Sequence, residues 1–379
     1  MENRSSEIDI GIGAGRSVRL RGWTAFMGRF GTGRTGRSRL EVEDKLNSRI
    51  RGLYASFERA VGGEARLRDV RYRIEYAAFR AVFDGFRLMP LDSAGAILST
   101  LSREYSVRSR RHRRALANLK RAFPEKTEAE REAIARRMWE NVGRVIAEGI
   151  HFDTFVAEPH RLDFLDGRIL DEYVPDRGVH IVASLHTANW EIGLLLSNRR
   201  GYTPAAFYRV VANPYVDKFI KASRETIYSG GLYAVRDESG GRSSAESTSR
   251  QFVSCLRKGV PIAILADHHD HDGVLVPFFG QQVRISRVPA TLAYQFNARI
   301  SVARTIRVGC QSRFLAEAKY IDMPRSGDRQ ADIQAATEAV HRQFENWIRQ
   351  YPEQWLWSQA PFVLSAEVYR TEQKAAPRD

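Results

Sequence analysis

His186 and Glu191, in the run Leu185-His-Thr-Ala-Asn-Trp-Glu191, are the side chains best suited by type and spacing to move a proton. An imidazole titrates near neutrality, and a carboxylate a few residues away can hold it in one tautomer and stabilise its charged form. The second ring nitrogen is then left to take a proton from a hydroxyl. A single histidine at a strand end also serves structure alone, so His186 by itself carries both readings. Nucleophiles are missing from the obvious places. The chain has no Gly-x-Ser-x-Gly elbow, and Cys255 and Cys310 form no close motif. Two such cysteines support neither a zinc site nor a disulfide framework and suit a reducing, cytoplasmic setting.

A second polar cluster, Asp267-His-His-Asp-His-Asp272, invites a metal, because both residue types are competent ligands. Neighbours on an extended chain point to alternate faces, however, and no separate His-x-x-His or cysteine pair completes a shell. No metal and no cofactor is assigned. Arg209, near the end of the apolar run Pro204 to Val211, presents donors in a rigid fork that suits a phosphate or a developing oxyanion. A solvated arginine is the alternative there. Gly28-Arg-Phe-Gly-Thr-Gly-Arg-Thr35 nearly copies a phosphate-binding loop, but Arg34 stands where lysine is needed and no strand precedes it. Nucleotide binding is not expected.

These residues need elements to hold them. Val179 to Leu185 is a short β-branched and apolar run bounded by Pro175 and Gly178, which reads as a buried strand ending at His186. Thr187 and Asn189 favour a helix start, and Ile192, Leu194, Leu195 and Leu196 continue as an apolar helix. The histidine thus sits where open α/β sheets place their ligands, at a strand end facing a helix N-terminus. Pro204 to Val211 and the run from Val260 to Ala266 read as further strands, the latter delivering Asp267 at its end. Pro124 stops a helix, Thr127 with Glu130 forms a capping box for the next, and residues 330–349 form an amphipathic helix through Ile333, Ala336, Val340, Phe344 and Ile348.

The 379 residues suffice for one large α/β domain with N-terminal additions. Lys and Arg number 59 against 45 Asp and Glu, a formal net charge of +14, which favours an anionic partner such as nucleic acid, a phospholipid surface or an acidic carrier protein. Residues 1–40, rich in Gly, Arg, Ser and Thr without apolar period, read as a poorly structured leader. Downstream, Phe79, Val82, Phe83 and Phe86 share one face at helical spacing, followed by a weaker amphipathic stretch through Ala94, Ile97, Leu98 and Leu101. Arg80, Asp84, Arg87 and Asp92 interrupt any window of the about 20 apolar residues that a spanning helix needs. Such helices either lie on a membrane or pack on the protein's own core. The basic run Arg108, Arg110, Arg111, Arg113 and Arg114 favours anionic headgroups.

Four ordered blocks carry a family resemblance: Asn118-Leu119 leading to Phe123-Pro124 with Glu148; His-Thr-Ala-Asn-Trp-Glu191; Asp267 and Gly273 with Pro277-Phe-Phe-Gly280; and Tyr351-Pro-Glu-Gln-Trp-Leu-Trp357. Together, over about residues 72–362, they are similar to the late, or secondary, lipid A acyltransferases within the H-x4-D/E glycerolipid acyltransferase superfamily. His268 and Ser358 to Pro361 depart from the usual pattern. The resemblance implies an α/β fold, a central, mainly buried sheet flanked by helices, with N-terminal amphipathic helices. With it the chain divides into a poorly structured basic leader with a possible helix at 1–71, a membrane-associated acyltransferase domain at 72–362 and a C-terminal tail at 363–379. The implied donor is an acyl group on acyl carrier protein, and the acceptor is a hydroxyl of a lipid A precursor or related glycolipid. His186 is the implied general base and Glu191 its orienting partner, with Asn189, Trp190, Arg209, Asp267 and Gly280 at the substrates. The implied setting is the cytoplasmic face of the bacterial inner membrane, peripheral, on an anionic surface and without nucleic acid. An acyltransferase for another glycolipid or a phospholipid would share the same pair, and a non-catalytic binder of anionic membranes would leave it unused.

Overall fold

The computed structural model of the chain describes residues 8–12, 16–20, 64–166, 179–199, 201–225, 227–235 and 242–362. The glycine-rich segment 28–35, most of the leader and the tail 363–379 lie outside the described residues. The chain divides into two compact units, Met1–Glu75 and Tyr76–Asp379. Within the first, β1 (Ile8–Ile12) and β2 (Arg16–Leu20) pair antiparallel. The second contains the main sheet and all the candidate site residues.

That sheet has seven strands in the order β3-β11-β10-β4-β7-β5-β6. They are β3 (Leu162–Phe164), β4 (His180–Ser184), β5 (Ala205–Arg209), β6 (Leu232–Val235), β7 (Ile262–Leu265), β10 (Arg299–Arg307) and β11 (Phe314–Ile321). From β10 to β6 all neighbours are parallel; β11 runs antiparallel to β10 and parallel to β3. The expected architecture, a mostly parallel central sheet flanked by helices, is the one observed. β4 is buried along four of its five positions, as a strand with parallel neighbours on both sides must be, and its β-branched and apolar composition follows from that. A separate hairpin is formed by β8 (His269–Phe278) and β9 (Gln281–Ile285).

The two sheet faces are packed differently. Ile181, Ala183, Ile262, Ile300 and Val302 share one face by register and join a core that includes Val340, Phe344 and Trp347 of α10 (Arg329–Gln350), the helix that follows α8 (Arg242–Arg257) and α9 (Val288–Gln295). The opposite face presents smaller side chains, Ser184, Ala263 and Ala303 with Val182, and is met by α6 (Gly193–Arg199). Before the sheet come α1 (Glu64–Arg87), α2 (Leu91–Ser106), α3 (Arg110–Ala122), α4 (Glu128–Ile150) and α5 (Phe152–Ala157). α3 ends just before Pro124, and α4 begins with the anticipated capping box, Thr127 and Glu130 exchanging hydrogen bonds.

The aromatic face of α1 turns inward. Phe79 and Phe83 pack edge-on to Phe219 of α7 (Pro214–Arg224) at 5.7 and 4.8 Å, and Phe86 packs against the core around Leu91 and Ala147. Val82 alone of that set is largely exposed, at 60%. Among the described residues no helix is long and apolar enough to cross a membrane.

α2 and α4 approach at Gly143, where a Cβ would stand 2.2 Å from the carbonyl oxygen of Leu98. Backbone rather than a flexible side chain fills that space, so an added methyl must push two helices apart. Gly143→Ala is expected to destabilise the protein by about 1–3 kcal/mol, read as a lower denaturation midpoint in urea. An unchanged midpoint would show that the two helices separate freely.

Candidate active site

His186 and Asp267 come together through sheet register. Ser184 of β4 pairs with Leu265 of β7 in parallel, so the residues two positions beyond each, His186 and Asp267, emerge side by side at the same sheet edge. The imidazole Nδ1 lies 2.8 Å from Asp267 Oδ1. The His186 backbone N–H donates to Oδ2 at 2.8 Å, and the Trp355 indole N–H donates to the same oxygen at 2.7 Å. An ionised carboxylate only accepts, so Nδ1 carries the proton in this contact and Nε2 holds the free lone pair. Among the described residues Nε2 has no hydrogen-bond partner. The Trp190 ring stands edge-on to the imidazole at 4.9 Å.

The electrostatics follow from burial and contact. Burial lowers the His186 pKa, but the charge and hydrogen bond of Asp267, with a further contribution from Glu191, outweigh it and leave the imidazole above its ordinary value. For Asp267, burial favours the neutral acid; the imidazole and the three N–H donors overcome it and bring the carboxyl down to about 2.

Glu191, expected to orient the imidazole, is held elsewhere. Arg224, at the end of α7, grips it through two parallel bonds, Nε to Oε2 at 2.7 Å and Nη2 to Oε1 at 2.5 Å. The reason is local. Thr187 bridges antiparallel to Trp355 and Ala188 adopts a left-handed conformation, φ 46°. Asn189 Oδ1 then accepts from the Glu191 N–H at 3.1 Å, and together these turn the chain before α6 starts at Gly193 rather than near Thr187. The carboxylate that touches His186 is therefore Asp267, 81 residues on.

The other anticipated site residues divide. Asn189 is 1% exposed and uses both amide atoms inward, its Nδ2 donating to Glu148 Oε2 at 2.9 Å. It holds the loop and offers nothing to a substrate. Trp190 lines a cavity of about 110 Å3 on the small-residue face, with Val182, Ser184, Leu194, Ala263 and Ala303. Arg209 ends β5 on the same sheet edge as His186, exposed and without a hydrogen bond or ion pair among the described residues. Gly280 sits at φ 71° in the turn joining β8 to β9. Its neighbours Phe278 and Phe279 pack against Trp355, so that turn buttresses the indole that holds Asp267.

Sequence reasoning missed several contributors. Trp355 lay inside a quoted block without a role, and nothing local marks Arg224. A further set lies beneath the loop: Glu148 is fully buried and is gripped by both terminal nitrogens of Arg307, Nη2 at 3.0 Å, while Ser312 Oγ donates to it at 2.8 Å. Arg307 Nε also reaches Asn141 Oδ1 at 2.9 Å, and Asn141 donates to the Ala188 carbonyl at 3.0 Å.

Against this geometry stands the comparison with known proteins. The model of the family described as bacterial lipid A biosynthesis acyltransferase matches residues 62–362, which include every residue of the site. The chain belongs to that family. It is also 25% identical, over 284 residues covering 73% of this chain and 83% of the other, to lipid A biosynthesis myristoyltransferase of Escherichia coli (strain K12). Membership implies acyl transfer in lipid A biosynthesis.

For a general base the neutral imidazole is the active form. A raised pKa then places the acid limb of kcat/KM above the ordinary histidine value of about 6.5. Asp267→Asn removes the nearest charge, so the limb should move to lower pH and turnover should fall roughly 100-fold or more. A pH profile of the purified variant checks both. A limb that stays in place would remove Asp267 from the dyad.

Proposed function

We propose that this protein transfers a fatty acyl group from acyl carrier protein to a hydroxyl of a lipid A precursor, with His186 as general base and Asp267 as its orienting partner. The observation that carries the reading is the Nε2, free of any partner among the described residues, of a half-buried, carboxylate-held imidazole beside an apolar cavity, in a chain of this family. Nε2 takes the hydroxyl proton as that oxygen attacks the thioester carbonyl. The tetrahedral oxyanion collapses, the C–S bond breaks, and the imidazolium returns its proton to the departing thiolate. No acyl-enzyme is needed. The cavity, floored by Ser184, Ala263 and Ala303 and walled by Trp190 and Leu194, suits an acyl chain because small side chains leave room and apolar walls favour methylenes. Arg209, without a partner among the described residues at the same edge, suits a phosphate or the oxyanion.

Lipid A mass spectrometry with the gene product absent and then restored tests the reaction. Restoration with the wild-type chain should add one acyl group, and His186→Ala should not, with turnover of the folded variant down by roughly 100-fold or more. Acylation of a phospholipid or a different glycolipid would redirect the acceptor. Near-normal transfer by His186→Ala would remove the mechanism.

The reading includes peripheral attachment to the cytoplasmic face of the inner membrane, and two surface features favour attachment to an anionic interface. Ile97, Leu101 and Tyr105 form a stripe at spacing of four along α2, exposed by 40, 55 and 84%, and Leu88 just before it is exposed by 89%. Immediately downstream, the side chains of Arg108, Arg110, Arg111, Arg113 and Arg114 are exposed and make no ion pair among the described residues. An apolar stripe beside unpaired cations is the arrangement that binds an anionic interface. Reversing the charge of Arg110, Arg111, Arg113 and Arg114 should sharply reduce cosedimentation with anionic liposomes and make the remainder more salt-sensitive. Unchanged binding at low and high salt would take those arginines out of the attachment.

A further inference from the structure

The polar run after Asp267 contains a second feature, independent of the acyl-transfer reading. His269 and His271 both belong to β8, and their rings meet edge to face, centroids 4.6 Å apart at 87°. His269 Nε2 and His271 Nδ1 are 3.4 Å apart. His269 Nδ1 lies 3.0 Å from the carbonyl oxygen of Arg284 on β9. A carbonyl only accepts, so Nδ1 carries the proton and Nε2 presents a lone pair toward His271. A backbone carbonyl behind one ring nitrogen is the usual support for a metal-bound imidazole, since it fixes both tautomer and ring orientation.

The separation matches a chelate. Two imidazole nitrogens at about 2.0–2.1 Å from a tetrahedral ion stand about 3.3–3.4 Å from each other. We infer that His269 and His271 form a chelating site for a divalent first-row transition metal, of the zinc class, on the β8–β9 hairpin. Residues 270–273 leave the ladder between His269 and Val274, and it is the path of that bulge that brings the His271 ring to His269. Among the described residues no three His, Cys, Asp or Glu side chains converge on one point, so water or amide oxygens complete the sphere. The pair lines an open hollow of about 390 Å3 with Arg121, Gln281, Gln282 and Arg284.

An ion here acts on structure. His269 and Val274 both pair with Ile285, so residues 270–273 bulge out of the ladder. An ion held by His269 and His271 ties the base of that bulge, while His186 and Asp267 keep the proton path to themselves.

Calorimetric titration of the full-length protein with zinc sulfate tests the site, with magnesium chloride as the hard-cation control. One zinc per chain is expected, with affinity falling at least tenfold in His269→Ala and in His271→Ala. His160→Ala and His268→Ala should leave it intact, and magnesium should give no binding. Copper(II) loaded on the wild-type chain should show coupling to two imidazole nitrogens in pulsed electron paramagnetic resonance, a readout that does not depend on the variants folding. Zinc binding equal in the wild type and the His269/His271 double alanine variant, no zinc binding at all, or copper without paired imidazole coupling would each leave only two hydrogen-bonded histidines.

Discussion

A buried carboxylate shared by three N–H groups holds the site together. Asp267 is 3% exposed, and an anion taken out of water that far is costly unless its lone pairs are met. They are met by the backbone and ring of His186 and by the Trp355 indole. Two of the donors belong to His186 and the third to Trp355, so the end of β4 and the segment after α10 meet at the end of β7. Trp355 is fixed in turn by stacking on Phe279 and edge contacts with Phe278 and Trp357. Asn118 of α3 donates to the Trp357 carbonyl at 2.8 Å, which extends the support to the helices that precede the sheet. Satisfying one charge therefore fixes the relative placement of both central strands and the terminal aromatic segment.

The loop between His186 and α6 depends on a second buried charge. Glu148 and Arg307 are paired deep in the protein, and such a pair contributes little net stability when compared with apolar packing. What it supplies is position. Through Asn141 and Asn189 it holds the peptide at Ala188, whose left-handed conformation is unfavourable for a residue with a Cβ. Gln354 adds two more ties: its backbone carbonyl accepts from Ala188 N–H at 2.9 Å, and its side chain accepts from Arg307 N–H at 2.8 Å. The strained turn is over-determined, and that is why the imidazole has a single setting.

Much of this was legible in the residues. The apolar run before His186 could only be a buried strand, Asp267 closes another, and the capping box and the long terminal helix follow from local pattern alone. The α/β class follows from strands alternating with helices. The His186–Asp267 contact is a different matter: it is written in the register of β4 against β7, a long-range property that no local spacing encodes. The same holds for Arg224, which reaches Glu191 from the far end of α7. Periodicity located the aromatic face of α1 but could not name its neighbour, and Phe219 supplies it. The expected helix start at Thr187 failed because Thr187 pairs with Trp355, a tertiary contact that outweighs propensity.

The H-x4-E spacing acquires a physical meaning from the charge balance. With a neutral imidazole the cluster of Asp267, Glu191 and Arg224 carries one net negative charge. A proton on His186 brings it to zero. In a poorly solvated site that difference favours taking the proton, and it is the reason burial fails to depress the His186 pKa. Glu191 contributes to that balance from behind its guanidinium, through charge rather than contact. Arg224 in turn pairs with Glu191 and leaves Asp267 untouched. Two carboxylates and one arginine thus divide the work: contact with Asp267 sets the direction of the imidazole, and the excess negative charge sets its appetite for a proton.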